Sequence, residues 1–243
     1  MLTFLKLGGS LITDKTRENA FLPEIAARIG GEIAEGLHAR PERQLLVGHG
    51  SGSFGHMAAK RHGTMQGVKT GDQWRGFAEV AKNAAELNYL TAKALWTAGE
   101  PVIRIQPSAS VRSHDGVIVA MAVEPVRDAL AHGLAPLVYG DVALDETRGG
   151  TIVSTESIFF YLAQPLPVDE ILLLGTTDGV YATDGSLIEA ITPANLADVE
   201  AALGGSAGTD VTGGMETKVR DMVALAQAYP GLHIRIMNGA TPG

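Results

Sequence analysis

The chain has 243 residues, of which 45% are hydrophobic and 19% charged, with a net charge of −8 and no cysteine. This composition fits a globular protein of one domain or two closely joined lobes and argues against disorder. A nucleic-acid partner is not expected without a basic surplus, and disulfides, thiolate catalysis and cysteine-ligated metals are excluded. The apolar start, 1–7, is too short for a signal peptide or a membrane span, so we expect a cytoplasmic protein with no membrane partner.

Apolar runs of strand length alternate with helical patterns along the chain. Strands are predicted at 2–7, 44–49, 101–105, 135–139, 169–175 and 232–237. Helices are predicted at 23–37, 72–98, 124–132, 154–162 and 215–228. Several strands are apolar on both faces, as in sheets that helices cover on both sides. The alternation therefore predicts an α/β fold with a mostly parallel sheet.

The longest helix, 72–98, has the clearest pattern, with Asp72 as its predicted N-cap. Its buried stripe is predicted to comprise Phe77, Val80, Ala84, Leu87, Thr91 and Ala94. Asn88 and Lys93 are expected to lie off this stripe. Hairpins are predicted around 114–116 and 183–186, and the Gly-, Ser- and Thr-rich stretch 204–214 is predicted to be a mobile loop.

Two glycine-rich turns directly follow the first two strands. In the first, Gly8 and Gly9 let backbone N–H groups approach an anion, Lys6 adds a positive charge and Ser10 adds a hydroxyl. The second turn, 49–56, matches neither the Walker A nor the Rossmann spacing, yet it leads into a helix whose N-terminus suits a phosphate. His56 would lie near that N-terminus and could donate to a phosphoryl oxygen. Each motif alone is also compatible with an ordinary turn and a structural histidine.

A third glycine pair opens the helix near residue 214, and Lys218 follows one turn later. Lys15 lies close enough to the first turn to fold back over it, although by itself it also fits a surface lysine. Phosphoryl transfer requires positioning and charge compensation more than covalent chemistry from the protein. Three lysines and one histidine around anion-binding turns therefore predict a phosphoryl-transfer site.

Together these motifs resemble the amino-acid-kinase superfamily. The matching segments, in the order of the family, are 6–10, 12–15, 49–56, 139–141, 178–181 and 210–218. The pair formed by 13–15 (Thr-Asp-Lys) and 53–56 (Ser-Phe-Gly-His) is similar to the isopentenyl phosphate kinases, since carboxylate kinases of this fold do not carry the histidine. The resemblance implies a three-layer αβα sandwich with a mostly parallel central sheet. It further implies an acceptor-binding lobe at about 1–165 and a nucleotide-binding lobe at about 166–243.

The resemblance also implies an activity and a set of site residues. The activity would be transfer of the ATP γ-phosphoryl group to isopentenyl phosphate for isoprenoid synthesis, with Mg²⁺, in a homodimer built through the long helix. The catalytic residues would be Lys6, Lys15, His56, Asp141 and Lys218. Among them, Asp141 would organise the lysines. The ATP-binding residues would be Lys6, Gly8, Gly9, Ser10, Ser51, Thr176, Asp178, Gly179, Tyr181, Gly214 and Lys218. The acceptor-binding residues would be Gly50, Gly55, His56, Gly140 and Thr155, and no metal ligand is assigned.

Three departures from the family pattern bear on these assignments. Thr155 and Glu156 stand where the family has Gly-Asp, which changes the expected acceptor geometry. Thr176 stands where the family has a first aspartate before Asp178, so one carboxylate near the nucleotide is absent. Members usually continue beyond the turn at 238–239 into a further helix and strand, whereas this sequence stops at residue 243. We therefore expect either a further tail or a nucleotide lobe with one layer less.

An alkyl phosphate would need an apolar pocket beside its phosphate site. The candidates, each of which also fits a core position, are Phe54, Met57, Ala58, Met65 and Val80. Fosfomycin kinase resembles the same motifs, and its small phosphonate would need a tighter, more polar pocket. A non-catalytic nucleotide- or oxyanion-binding storage or regulatory protein on this fold is the alternative from another class.

Overall fold

The computed structural model describes residues 1–204 and 214–242, without the side chains of 202, 204 and 214–218. The strands are β1 (Leu2–Leu7), β2 (Gln44–His49), β3 (Val102–Arg104), β4 (Arg112–His114), β5 (Val117–Ala120), β6 (Ala135–Tyr139), β7 (Asp141–Asp145), β8 (Gly149–Val153), β9 (Val168–Gly175) and β10 (His233–Asn238). The helices are α1 (Gly9–Ile12), α2 (Pro23–Ala39), α3 (Gly52–His62), α4 (Gly71–Thr97), α5 (Glu124–Ala131), α6 (Thr155–Ala163), α7 (Leu196–Gly204) and α8 (Gly214–Ala228). Among the described helices, none combines the length and the apolar character needed to cross a membrane.

The central sheet has the order β10-β9-β1-β2-β6-β3, and its neighbouring strands all pair in parallel. Its strands are apolar on both faces because helices cover both. Leu5 and Leu7 of β1 pack with the helices α2 and α4 on one face. Leu2 and Phe4 of the same strand pack with α5 and α6 on the other. The predicted αβα sandwich is therefore confirmed, and every predicted strand and helix is present with ends within two residues of the prediction.

A smaller sheet, in the order β5-β4-β7-β8, lies beside the sandwich. Its β4–β5 hairpin is the one predicted around 114–116, and the bridge between Tyr181 and Leu187 confirms the other predicted hairpin. The β7–β8 hairpin was not predicted, because β7 begins and ends with Asp and β8 begins with two glycines, residues that are unfavourable in strands. Helix α7 was not predicted either. Asp145 holds the β4–β5 turn, since its carboxylate accepts from the N–H groups of Asp115 and Gly116.

Helix α4 differs from its prediction in two respects. Its N-cap is Thr70 rather than Asp72: the Thr70 hydroxyl accepts from Gln73 N, and the Gln73 side chain accepts from Thr70 N. This reciprocal capping box satisfies two donors, whereas Asp72 lies inside the first turn, where its charge suits the helix dipole. Asn88 is fully buried rather than off the stripe. The buried face of α4 is wide because α2, α3 and the two sheets contact it on different sides.

Candidate active site

The parallel strands of the central sheet end level with one another at one edge. Leu7 at the end of β1 lies opposite His49 of β2 and Leu174 of β9. At this edge a row of glycine N–H groups donates to the carbonyl at the end of the neighbouring strand, with N···O distances of 2.7–3.1 Å. These bonds are Gly140 to His49, Gly50 to Leu7, Gly8 to Leu174 and Gly239 to Gly175. The strand order therefore brings together the glycine turns that are far apart in sequence, as expected at the carboxyl edge of a parallel sheet.

The first two glycine turns are in direct main-chain contact. A Cβ atom on Gly9 would lie 2.4 Å from Gly52 N, and one on Gly50 would lie 2.9 Å from Gly9 N. Gly52 also has a φ of +49°, in the left-handed region that favours glycine. Side chains are thus excluded from this contact, and the backbone of 8–9 and 50–52 forms one surface. The two turns are therefore adjacent, as a single anion-binding site would require.

The second turn leads directly into α3, whose first turn carries no acidic side chain. The N-terminal partial positive charge of this helix is therefore not offset by a carboxylate of its own first turn. Gly55 is required here because a Cβ on it would lie 2.5 Å from Ser51 Cβ. His56 follows on the same helix and is half-buried. The predicted acceptor-phosphate residues Gly50, Gly55 and His56 therefore lie on one turn and the helix that it opens.

Lys6, near the end of β1, forms an ion pair with Glu156 in the first turn of α6. Its Nζ lies 2.5 Å from Glu156 Oε1, and the two side chains are only 14% and 8% exposed. A buried pair of this kind fixes the position of the ammonium group. From the sequence, Glu156 was identified only as a departure from the family pattern. Its role could have been found from its place in a helix that begins at the same sheet edge as Lys6.

Asp141, predicted to organise the lysines, is engaged elsewhere. Its carboxylate accepts from the N–H groups of Ser108 and Val142, and burial raises its pKa. The carboxylate that pairs with Lys6 is Glu156, and the role of Asp141 toward the lysines stays a prediction. Asp141 ties the start of β7 to the 3₁₀ turn Pro107–Ala109, since one of its oxygens satisfies a donor in that turn.

Thr155, predicted to bind the acceptor, has its hydroxyl engaged within the protein. Its hydroxyl donates to the carbonyl oxygen of His49 at 2.6 Å, and the side chain is buried. A Cβ atom added to Gly48 would lie 2.6 Å from the methyl carbon of Thr155, so Thr155 occupies the space that a side chain at position 48 would need. Gly140 lies nearby, since a Cβ on it would be 3.5 Å from the Thr155 hydroxyl. The Thr155 side chain therefore stabilises the end of β2, and its backbone N–H is the group that a phosphate could meet.

Lys15 lies in an exposed loop between α1 and α2. Several contacts attach this loop to α3. Ala20 N donates to the Ser53 hydroxyl at 3.3 Å, and Glu18 pairs with Arg61 at 2.6 Å. Thr13 adds a further link, because its hydroxyl donates to Gly9 O and accepts from Ser53 N. The loop that carries Lys15 is thus held against the helix that carries His56.

The predicted nucleotide residues lie where β9 and β10 end. Asp178 accepts from Asn238 Nδ2 at 3.0 Å and from the Tyr181 hydroxyl at 2.9 Å, and these bonds lower its pKa. Thr176 is exposed beside them. Gly179 is close to Leu187, whose Cδ1 would lie 3.0 Å from an added Cβ. Asp178 therefore joins the two strand ends, and this region is open to solvent.

Some predicted features fall outside the described residues. Gly214 opens α8 as expected, but the side chain of Lys218 and nearly all of the predicted loop 204–214 lie outside the described part of the chain.

The remaining candidate residues differ in burial. Ser10 is half-buried in α1. Of the apolar candidates, Phe54, Ala58 and Val80 belong to the core, whereas Met57 is 41% exposed and Met65 half-buried.

The sequence model of the amino acid kinase family matches residues 1–238. The chain belongs to the amino acid kinase family. It is similar to the isopentenyl phosphate kinase of Methanothermobacter thermautotrophicus, with 34% identity over 100% of this chain and 92% of that protein. The isopentenyl phosphate kinase of Haloferax volcanii is 37% identical over 92% of this chain and 88% of that protein. X-ray coordinates of an isopentenyl phosphate kinase superpose with a TM-score of 0.83 at 29% identity, covering 100% of this chain and 93% of that one.

In this amino acid kinase the described site residues form two groups along the sheet edge. One group is built from the two glycine turns, α3 and the ion pair of Lys6 with Glu156. The other surrounds Asp178 at the ends of β9 and β10. The first turn lies between them, because Gly8 N bonds to β9 while Gly50 N bonds to β1. This order along the sheet fits two ligands that meet at the first turn.

Proposed function

We propose that this amino acid kinase transfers the γ-phosphoryl group of ATP to isopentenyl phosphate, giving isopentenyl diphosphate and ADP. The observation that supports this most directly is the main-chain contact between the two glycine turns, with His56 on the helix that the second turn opens. Isopentenyl phosphate kinases with 34% and 37% identity match nearly the whole chain. Two phosphates held end to end need this kind of backbone surface.

The reaction forms one P–O bond and breaks another. An oxygen of the acceptor phosphate attacks the γ-phosphorus, and the bond from γ-phosphorus to the β–γ bridging oxygen breaks, which leaves ADP. A phosphate monoester is mostly dianionic at neutral pH, since its second pKa is about 6. The acceptor oxygen is therefore already a nucleophile, and the protein does not need a general base. What it must supply is alignment and positive charge.

The side chains proposed for this role are those that reach the first turn. Lys6, held by Glu156, would compensate charge on the ATP phosphates beside Gly8, Gly9 and Ser10. Lys15 and Lys218 would stabilise the transferring group. His56 would donate to the acceptor phosphate, together with backbone N–H groups near Gly50 and Gly140. Thr155 would contribute its backbone N–H because its hydroxyl is engaged with His49.

We propose that the part from about 166 onwards binds the nucleotide, with Thr176, Asp178, Gly179 and Tyr181 near the ends of β9 and β10. Among the described residues, no three His, Asp or Glu side chains form a group that could hold a metal ion. Mg²⁺ keeps several waters and is commonly bound through substrate phosphates. The described residues fit a Mg²⁺ that arrives with ATP and is held mainly by the phosphates, where it would neutralise charge.

We also propose a homodimer that packs through α4 and the adjacent edge strand β3. Large apolar side chains are exposed there: Trp96 is 67%, Tyr89 55% and Ile103 39% exposed. Such a group of exposed apolar side chains on a helix and a neighbouring sheet edge is typical of an interface between protomers. Sedimentation of the parent and of a Trp96→Glu variant tests this proposal, and a monomeric parent would contradict it.

The function is tested by a coupled ADP-release screen over isopentenyl phosphate, other alkyl phosphates, fosfomycin and nucleoside monophosphates. We expect isopentenyl phosphate to give the highest kcat/KM. Preference for fosfomycin would favour the phosphonate kinase instead. No ADP release with any acceptor, together with ATP binding, would favour a storage or regulatory protein. His56→Ala should abolish most turnover, whereas the control His38→Ala, an exposed residue of α2, should not.

A further inference from the structure

A chain of buried polar side chains lies behind the second glycine turn. His49, the last residue of β2, and Asn88, in the middle of α4, are both fully buried. Asn88 Nδ2 lies 3.1 Å from His49 Nε2, and Arg104 Nε lies 2.7 Å from Asn88 Oδ1. At the other end His49 Nδ1 lies 3.0 Å from the carbonyl oxygen of Gly50. The contacts thus run from the end of β3 through α4 into the glycine turn.

The chemistry of the two ends sets the direction of every hydrogen bond. Arg104 can only donate, so the oxygen of Asn88 must face it and the amide NH₂ must face His49. The Gly50 carbonyl can only accept, so His49 Nδ1 must carry a proton. In a neutral imidazole Nε2 then has a lone pair, which accepts from Asn88. Both ends therefore require the same tautomer of His49.

The ring environment keeps His49 in the neutral form that this arrangement needs. Burial lowers the pKa of His49 to about 4, and the nearby positive charges of Lys6 and Arg104 act in the same direction. The ring also stacks on Tyr139, with centroids 5.5 Å apart and planes 5° from parallel. These contacts fix the ring plane and hence the direction of Nδ1–H toward the glycine turn.

The bond to Gly50 has a consequence for the peptide group that follows. The peptide between Gly50 and Ser51 is trans, so the Ser51 N–H points opposite to the Gly50 carbonyl and away from the His49 ring. Within the described residues the Ser51 N–H has no hydrogen-bond acceptor. The peptide lies where the first turn touches the second, since Gly50 packs on Gly9. An unsatisfied donor at this place is suited to a phosphate oxygen.

We propose that Arg104, Asn88 and His49 are positioning residues that orient the Gly50–Ser51 peptide and thereby present the Ser51 N–H to a bound phosphate. This inference rests on the proposed function for the identity of the ligand. If these positions only filled the core, apolar residues would stabilise the fold as well, because buried polar groups contribute little net stability even when they are paired. Small displacements of a positioning group in phosphoryl transfer can reduce the rate about a hundredfold.

The tautomer is tested first, on the parent protein at pH 7, by NMR of ¹⁵N-labelled histidine. We expect His49 to be neutral with the proton on Nδ1. A proton on Nε2 would overturn the inference, since Nδ1 could then no longer donate to Gly50. We also expect the Ser51 amide resonance to shift when inorganic phosphate is added. The absence of this shift would equally contradict the proposal.

The role in turnover is tested by comparing Asn88→Leu with Asn83→Leu. Asn83 is a matched control because it is an equally buried asparagine of α4, 2% exposed, outside the chain of contacts. Asn83 Oδ1 is buried without a hydrogen-bond partner among the described residues, so its replacement by leucine breaks no side-chain hydrogen bond seen there. Only Asn88→Leu should lower kcat, by tenfold or more, and remove the phosphate-induced shift of Ser51. Equal loss of kcat in the two variants would reduce Asn88 to a structural residue.

Variants of Arg104 test the outer end of this chain of contacts without changing the volume of a buried side chain, because Arg104 is exposed. Arg104→Leu removes the donor that orients Asn88, and we expect a several-fold loss of kcat with mixed His49 tautomers. Arg104→Lys keeps a donor and should recover most of kcat. A lysine variant no better than the leucine variant would contradict the proposal. If the parent does not phosphorylate isopentenyl phosphate, the proposed function fails, while the tautomer and the Ser51 shift still decide this inference.

Discussion

Replacing Glu156 with glutamine removes the negative charge that holds Lys6 at the end of β1. The pair has an Nζ···Oε1 distance of 2.5 Å, with side chains 14% and 8% exposed, so an unpaired Lys6 would remain largely out of water. Loss of one partner of a buried pair costs about 3 kcal/mol. For a chain of this length, that loss lowers the unfolding midpoint by roughly 6–12 °C. We expect this decrease in the absence of ligand and a partial recovery with ATP, whose phosphates would provide Lys6 with a counter-charge.

The same substitution should reduce turnover. A displaced donor at a phosphoryl-transfer site lowers kcat about a hundredfold. Glu156→Asp keeps the charge but shortens the side chain by one carbon–carbon bond, about 1.5 Å. The distance of 2.5 Å would then rise to about 4 Å, beyond hydrogen-bonding range, unless the backbone moves. We expect its kcat to lie between those of the parent and Glu156→Gln.

Differential scanning fluorimetry and steady-state ADP release measure the two effects. Glu124→Gln is the matched control, because Glu124 also lies in the first turn of a helix and pairs with a basic residue, Arg127, but is exposed. Because water and salt screen an exposed pair, loss of this one should leave the unfolding midpoint almost unchanged. If Glu156→Gln retained the kcat and the midpoint of the parent, or if Glu124→Gln lost as much, burial would not make the Lys6 pair more important than an exposed one.

Three further predictions concern single side chains. Lys15→Ala should lower kcat far more than it raises KM, because the charge of Lys15 matters most while the phosphoryl group is being transferred. Initial-rate kinetics measure this effect, with Lys60→Ala on the surface of α3 as the control. His56→Ala should raise KM for the acceptor and lower turnover while sparing ATP affinity; an equal loss of ATP affinity, measured by calorimetry, would place the imidazole in the other subsite. His49 has a pKa of about 4 when folded and an ordinary value of 6.5, so the unfolded chain binds more protons between these values and stability falls as the pH decreases through this window. We expect the free energy of unfolding in urea to drop by roughly 3 kcal/mol from pH 7 to pH 4 and this dependence to flatten in His49→Gln, whereas an unchanged pH profile would show that the imidazole is not buried in its neutral form.

The periodicity of the sequence predicted the central sheet because its strands are buried on both faces, which gives unbroken apolar runs. The glycine turns were predicted for a related reason, since each directly follows such a run. The β7–β8 hairpin was not predicted because its strands contain Asp and Gly, which are unfavourable in strands. Tertiary contacts, such as the hydrogen bonds that Asp141 and Asp145 accept, stabilise these residues there.

Within the site, single motifs indicated residue types but not their partners. The pairing of Lys6 with Glu156 joins residues 150 positions apart and depends on where α6 begins. Asn88 is expected off the buried stripe of α4, and asparagine is usually exposed. Its burial is explained by its hydrogen bonds to His49 of β2 and Arg104 of β3, two strands that are separated by β6, and a helical pattern does not reveal such partners.

The contact between the two glycine turns also limits how this enzyme can vary. Main-chain atoms surround Gly9 and Gly50 so closely that any larger residue would collide with backbone rather than with a movable side chain. A substitution there has no simple compensating change nearby. A shift in substrate choice, whether by natural drift or in the laboratory, must therefore come from the surroundings, where Met57 and Met65 are accessible and adaptable. The contact between Gly9 and Gly50 is therefore expected to stay the same, while the residues around it change.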